Sequence, residues 1–174
     1  PKNVPFDKNV LASTWAVTLA NAAFSMLLLQ NARVDMLVNI HLANATSAIY
    51  QPYAIALNPA GSSAAVSTTG TIWSMFSNAA FSAQSIGALT FPSASTFTAN
   101  GKSYPGLVGI LFTGADGASA LVANLTGGAQ PIELASIFGT DVPSSFSYIS
   151  APPIDPTAAP TKGTGNIASG AASL

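Results

Sequence analysis

The chain has 174 residues, enough for one domain with a real core, and only 6% of them are charged. The five basic residues stand apart at 2, 8, 33, 102 and 162 and the formal net charge is −1, which argues against nucleic acid or an anionic membrane surface as the main partner. There is no cysteine, so disulfides, thiolate catalysis and cysteine-based zinc sites are removed together. Average domains carry about 25% charged residues, yet no Asp, Glu, Lys or Arg occurs between Met36 and Gly101. Low charge promotes association. The composition suits a protein whose faces are covered by partners, and equally a neutral domain solvated by hydroxyls and amides.

In chain order, "PKNVPFDKN" reads as an N-terminal arm over 1–10, with Phe6 as its anchor. Pro1 fits a start exposed by removal of an initiator Met, that is, synthesis without a cleaved leader. The next stretch, Asn9 to Ala32, holds no charge. Ala20-Asn21-Ala22 imitates a signal-peptide cleavage site, but Asp7 sits where a basic region is needed. A membrane span from Val10 to Leu29 would contain Ser13, Thr14, Thr18, Asn21 and Ser25, without a one-sided basic flank. Trp15, Val17 and Leu19 alternate with Ala16, Thr18 and Ala20, which is the period of a half-buried strand. The strand reading is preferred. A helix over about 11–29 is its alternative, because Ala, Leu and Met are good helix formers.

From Val34 to Leu42 the alternation is strict: Val34, Met36, Val38, Ile40 and Leu42 point one way and Asp35, Leu37, Asn39 and His41 the other. "SAIYQPYAIAL" predicts a strand that Pro52 confines to an edge or bulge, and "NPAG" at 58–61 is turn chemistry. "AAVSTTGTIWSMF" predicts another strand, bent at Gly70, and "SIGALTF" follows after a polar break. Asn100-Gly101 and Asp116-Gly117 each separate two β-prone runs and predict tight hairpins. "PIELASIFG" fits a strand or one helical turn, and "SSFSYIS" a last strand. From Ala151 the composition turns to Pro, Gly, Ala, Ser and Thr. Alone, such a tail is expected to be extended or disordered. It is tied down either as a belt on its own domain or across a neighbouring subunit.

The expected architecture is therefore all-β: a sandwich or jelly-roll-like domain over 11–150, with an arm at 1–10 and an extended tail at 151–174. An α+β fold with a helix near 11–29 is the alternative.

No set of residues points to catalysis. His41 is the single histidine, and Asp35 on its strand face would be about 20 Å away, too far for a nucleophile relay. The six carboxylates are scattered, so no glycosidase pair or metal cluster is legible. Asp116-Gly117 suits a hairpin turn better than a calcium loop. "GADG" at 114–117 is not followed by the Gly-Lys-Ser/Thr of a phosphate loop. The triplets at 44–46 and 124–126 match the glycosylation acceptor pattern, as chance allows in a Ser/Thr-rich chain. Trp15, Trp73, Tyr50, Tyr53, Tyr104 and Tyr148 would suit a sugar site, but packing is the commoner use of such rings. No catalytic, cofactor-binding or metal-ligating residue is assigned, and the chain is read as not an enzyme.

In overall character the chain resembles bacteriophage virion structural proteins of the capsid decoration or minor capsid type. The likeness lies in low charge, no cysteine, a β-rich body and arm-like ends, and no motif carries it. It implies a subunit located in a virion that stabilises a shell lattice. Its partners would be copies of itself and a major shell protein, with no nucleic acid, no membrane and no cofactor. Phe6, Pro152, Pro153, Ile154, Ile167 and Leu174 are the expected interface residues. The alternatives are a glycan-binding adhesin or fibre domain, and a surface filament or membrane-anchored subunit with the opening stretch as a buried helix; these would be extracellular or on a cell surface.

Overall fold

A computed structural model describes residues 15–31, 33–34, 43–44, 56–57, 65–66, 68–152, 160–167 and 171–173. Strands in antiparallel sheets dominate, with a few helices, and the sheets are not closed on one another.

The opening stretch is a helix, α1 (Trp15–Leu29), as in the alternative reading and not the strand preferred from its alternation. The alternation rested on Trp15, Val17 and Leu19 set against Ala and Thr, which pack on a helix as readily as on a strand. The buried positions are Thr18, Ala22, Ala23 and Met26, a helical spacing. The small side chains of Ala22 and Ala23 let the helix lie close to the sheet beneath it. Gln30, just past its end, donates from Nε2 to the Gly109 carbonyl at 2.8 Å.

Three two-residue strands follow, β1 (Ala43–Asn44), β2 (Ala56–Leu57) and β3 (Ala65–Val66), in the order β1-β2-β3. The alternating run beyond Val34 lies outside the described residues, as do Asp35, His41, Tyr50, Tyr53 and the turn at 58–61. Of the strand expected over 64–76, only β3 is β. From Thr68 the described residues are helix α2 (Thr68–Ala80). The run Thr68, Thr69, Thr71, Ile72 and Trp73 is rich in β-favouring residues. Its apolar members Ile72, Trp73, Phe76 and Ala79, however, recur at helical intervals and all reach one core. Burial of that face outweighs the local β preference.

That core lies on a three-stranded antiparallel sheet with β7 (Leu107–Gly114) in the centre and β4 (Ala83–Leu89) and β8 (Gly117–Asn124) at its edges. Strand β7 is apolar on both faces, as a strand covered on both sides must be. Val108, Ile110 and Phe112 pack with Leu121 and Ala123 of β8 against α1 and α2. Leu107, on the other face, joins Ile132 and Leu134 in a second cluster that also takes in Phe91, Val122, Phe138 and Ile167. Helix α1 touches β7 and β8, and α2 packs mainly on β8. Gly109 of β7 is needed for a close approach, since a Cβ there would stand 2.8 Å from the Phe91 ring.

Both predicted hairpins are present. Strands β5 (Thr96–Ala99) and β6 (Lys102–Pro105) pair around Asn100 and Gly101, whose φ values of 49° and 72° are the positive angles such a turn demands. In the β7–β8 hairpin Gly114 pairs with Gly117, so Ala115 and Asp116 form the tip, one residue earlier than expected. Gly117 takes the positive φ. Both readings of "PIELASIFG" hold in sequence: β9 (Pro131–Glu133) runs into the short helix α3 (Ala135–Phe138).

The expected last strand is β10 (Ser145–Ser150), and its partner comes from the tail: β11 (Thr161–Asn166) pairs with β10 residue by residue. Strand β12 (Ala171–Ser173) pairs with β9. Within the described part of the tail, Thr161–Asn166 and Ala171–Ser173 are thus strands paired within their own chain. The Gly163 and Gly165 positions make this possible, because the rings of Tyr148 and Phe146 lie over them, giving a strand of poor intrinsic propensity two aromatic partners. Lys162 donates from Nζ to the Thr71 hydroxyl at 2.8 Å and links this hairpin to α2.

Candidate assembly surface

Residues that could do chemistry are sparse. Among the described residues, no three His, Cys, Asp or Glu side chains are grouped to hold a metal, and no buried side-chain nitrogen or oxygen lacks a hydrogen-bond partner. A shallow depression lies between the α2–β4 turn and the β7–β8 tip, lined by Ala79, Phe81, Ser82, Phe112, Asp116 and Ser119. It offers one carboxylate and two hydroxyls with no imidazole or amine to activate them, which is not a nucleophile set.

The surface is more informative. Ala20, Phe24 and Leu27 are exposed on α1. Their spacing of four and three places them in a row on the side away from Ala22 and Met26. Phe24 is 60% and Leu27 52% exposed. The helix is therefore apolar on its outer as well as its inner side, a pattern that belongs to helices covered all round. Phe81, at the turn where Ser82 adopts a φ of 59°, is 83% exposed.

Ile86 adds a third apolar site. It pairs with Phe112 across the β4–β7 ladder, so both side chains project from the same face of the sheet. Phe112 is buried beneath the helices, whereas Ile86 remains 46% exposed. Among the described residues the helices pack mainly on β7 and β8, and of β4 it is Ala83 that joins their core.

Tyr104 and Tyr148 are the exposed rings of the two hairpins. Tyr104 stacks on Phe97 with centroids 5.5 Å apart. Tyr148 leans toward Phe146 with centroids at 6.2 Å. Trp73, named with them as a possible sugar contact, packs against the core beside Phe76 instead.

Of the residues expected at an interface, Pro152 is exposed just after β10. Ile167 packs into the second cluster of its own chain, and its backbone N–H donates to Ser144 at 2.8 Å. Phe6, Pro153, Ile154 and Leu174 lie outside the described residues. Sequence reasoning looked for contacts in the terminal segments and missed Phe24, Leu27, Phe81 and Ile86. The four-three spacing of Ala20, Phe24 and Leu27 was the signal available for α1; Ile86 had none, since its exposure depends on where the helices lie.

No protein-family model, curated protein or solved structure matches the chain. None of the described helices is long and apolar enough to cross a membrane.

Proposed function

We propose that this chain is a structural subunit of a large protein assembly, of the capsid decoration or minor capsid kind, located in a virion and bound to copies of itself and to a major shell protein. The observation that carries the reading is the exposed apolar row on α1 in a protein with so few charges. Fully burying a Phe or Leu side chain is worth about 1.5–3 kcal/mol, so leaving Phe24 and Leu27 in water forgoes an appreciable stabilisation that a neighbour can supply. A sandwich or jelly-roll-like closing of the strands belongs to the same proposal; its support is the second cluster, where Leu107 and Val122 of one sheet pack with Ile132 of β9.

The test is the mass of the chain in solution and its incorporation into its native particle. The wild type is expected to form higher-mass species. The double variant Phe24→Ser/Leu27→Ser should lose them while keeping its helix content by circular dichroism. Because the contact surface is uncharged, raising salt from low to molar concentration should not weaken association. A wild-type chain that stays monomeric and never enters a particle would overturn the proposal.

A glycan-binding role is the second reading, supported by the exposed rings of Tyr104 and Tyr148. Binding on a glycan array that is lost in Tyr104→Ala or Tyr148→Ala would favour it; uniformly negative arrays would remove it.

A further inference from the structure

We infer that β4 is a homotypic docking edge, pairing antiparallel with the β4 of a second copy about a two-fold axis near Ile86 and Gly87, so that two three-stranded sheets become one of six strands. The inference deepens the assembly reading and rests on it.

Four observations converge on this edge. No described strand pairs with the outer side of β4, which is the end of the order β4-β7-β8. Its outward N–H and C=O groups are thus a template for another strand. The usual protections are missing along its regular part: from Phe81 to Phe91 there is no charged residue and no proline. A bulge interrupts the ladder between Ala83 and Ser85, but from Ser85 to Leu89 the register against β7 is continuous. Finally, Ile86 is half-exposed at a position facing the same side as buried Phe112. An apolar side chain at a core-facing position that the described helices leave half-exposed is one that a further strand can cover.

A second copy satisfies all of this at once. A strand paired antiparallel with itself needs only a two-fold axis, the commonest symmetry of homo-oligomers. The absence of charge means that like does not repel like. Gly87 presents no side chain, and a Cβ there would meet nothing within 4 Å, so the neighbouring strand has free approach. With the axis near Ile86, the two isoleucines become cross-strand neighbours and shield each other.

The absence of native cysteine makes the test direct. Single cysteines are placed in turn at Ser85, Ile86, Gly87 and Ala88, with Leu27→Cys as a comparison on α1, and the assembled full chain is oxidised gently. Linked dimers are expected near the axis, from Ile86→Cys or Gly87→Cys, with a sharp fall on either side. In parallel, Ile86→Lys should raise the apparent dissociation constant of the pair roughly tenfold or more, because two ammonium groups would face each other, while the melting of the isolated chain stays the same. If the chain assembles but none of the β4 positions links, or if they link to a different protein in the particle, the homotypic edge is overturned and the assembly reading stands. If the chain never assembles, the assembly reading fails, and the edge with it.

Discussion

The helix-backed sheet and the two peripheral hairpins, β5–β6 and β10–β11, are both antiparallel, yet they are held together differently. In the sheet, Ile110 is 0% exposed and the ladder lies under two helices. In the hairpins most positions are exposed, all four of β6 among them, and cohesion comes from Phe97 on Tyr104 and from Tyr148 and Phe146 over glycines. An isolated two-stranded hairpin is marginal in water. The first region is therefore stable through burial, and the second through cross-strand contacts and its attachment to the rest. The same strand geometry can thus serve as a core element or as a surface element, depending on what covers it.

Substitutions that separate these two modes should fall in a clear order. Ile110→Ala removes a fully buried side chain from the central strand and should cost about 2–5 kcal/mol, seen as a large shift in the denaturant midpoint. Gly106→Ala acts at the junction of the regions, where a Cβ would collide with the Ser95 carbonyl. Gly106 also bonds to Ser95 and Leu125 through its backbone, so the chain has little room to yield, and a loss of about 1–3 kcal/mol is expected. Gly101→Val forces a left-handed position in the β5–β6 turn and should cost about 1–2 kcal/mol. Tyr148→Ala should cost least, about 0.2–1 kcal/mol. Its effect should be confined to faster amide exchange in β10 and β11, with protection of β7 unchanged. Equal loosening of β7 would mean that the two regions form one cooperative unit.

The fold was unevenly legible. Asn100-Gly101 announced its hairpin because the turn's backbone angles restrict the residues that can occupy it, and the β-prone run ahead of Asp116-Gly117 showed β7 in the same way. The helices were misread because α1 is apolar on nearly every side, so a two-residue and a helical period both fit it. In α2, β-favouring threonines masked Ile72, Trp73 and Phe76. The tail's pairing was hidden for another reason: Gly163 and Gly165 have no strand signal of their own and become a strand only beneath the rings of Tyr148 and Phe146. The candidate surface was the least legible, since exposure at Phe24 and Ile86 is set by the extent of the helical layer, a property of tertiary packing.

The membership of the two apolar clusters also sets an order of events during synthesis. The cluster beneath the helices draws on Leu19 to Leu125, whereas the second reaches from Phe91 to Ile167. As the chain leaves the ribosome, the first can close some forty residues before the second has its last member. In that interval Leu107, at the start of the central strand, is without Ile132, Leu134 and Ile167. A translational pause placed between these two points would prolong a half-packed state in which Leu107 is uncovered.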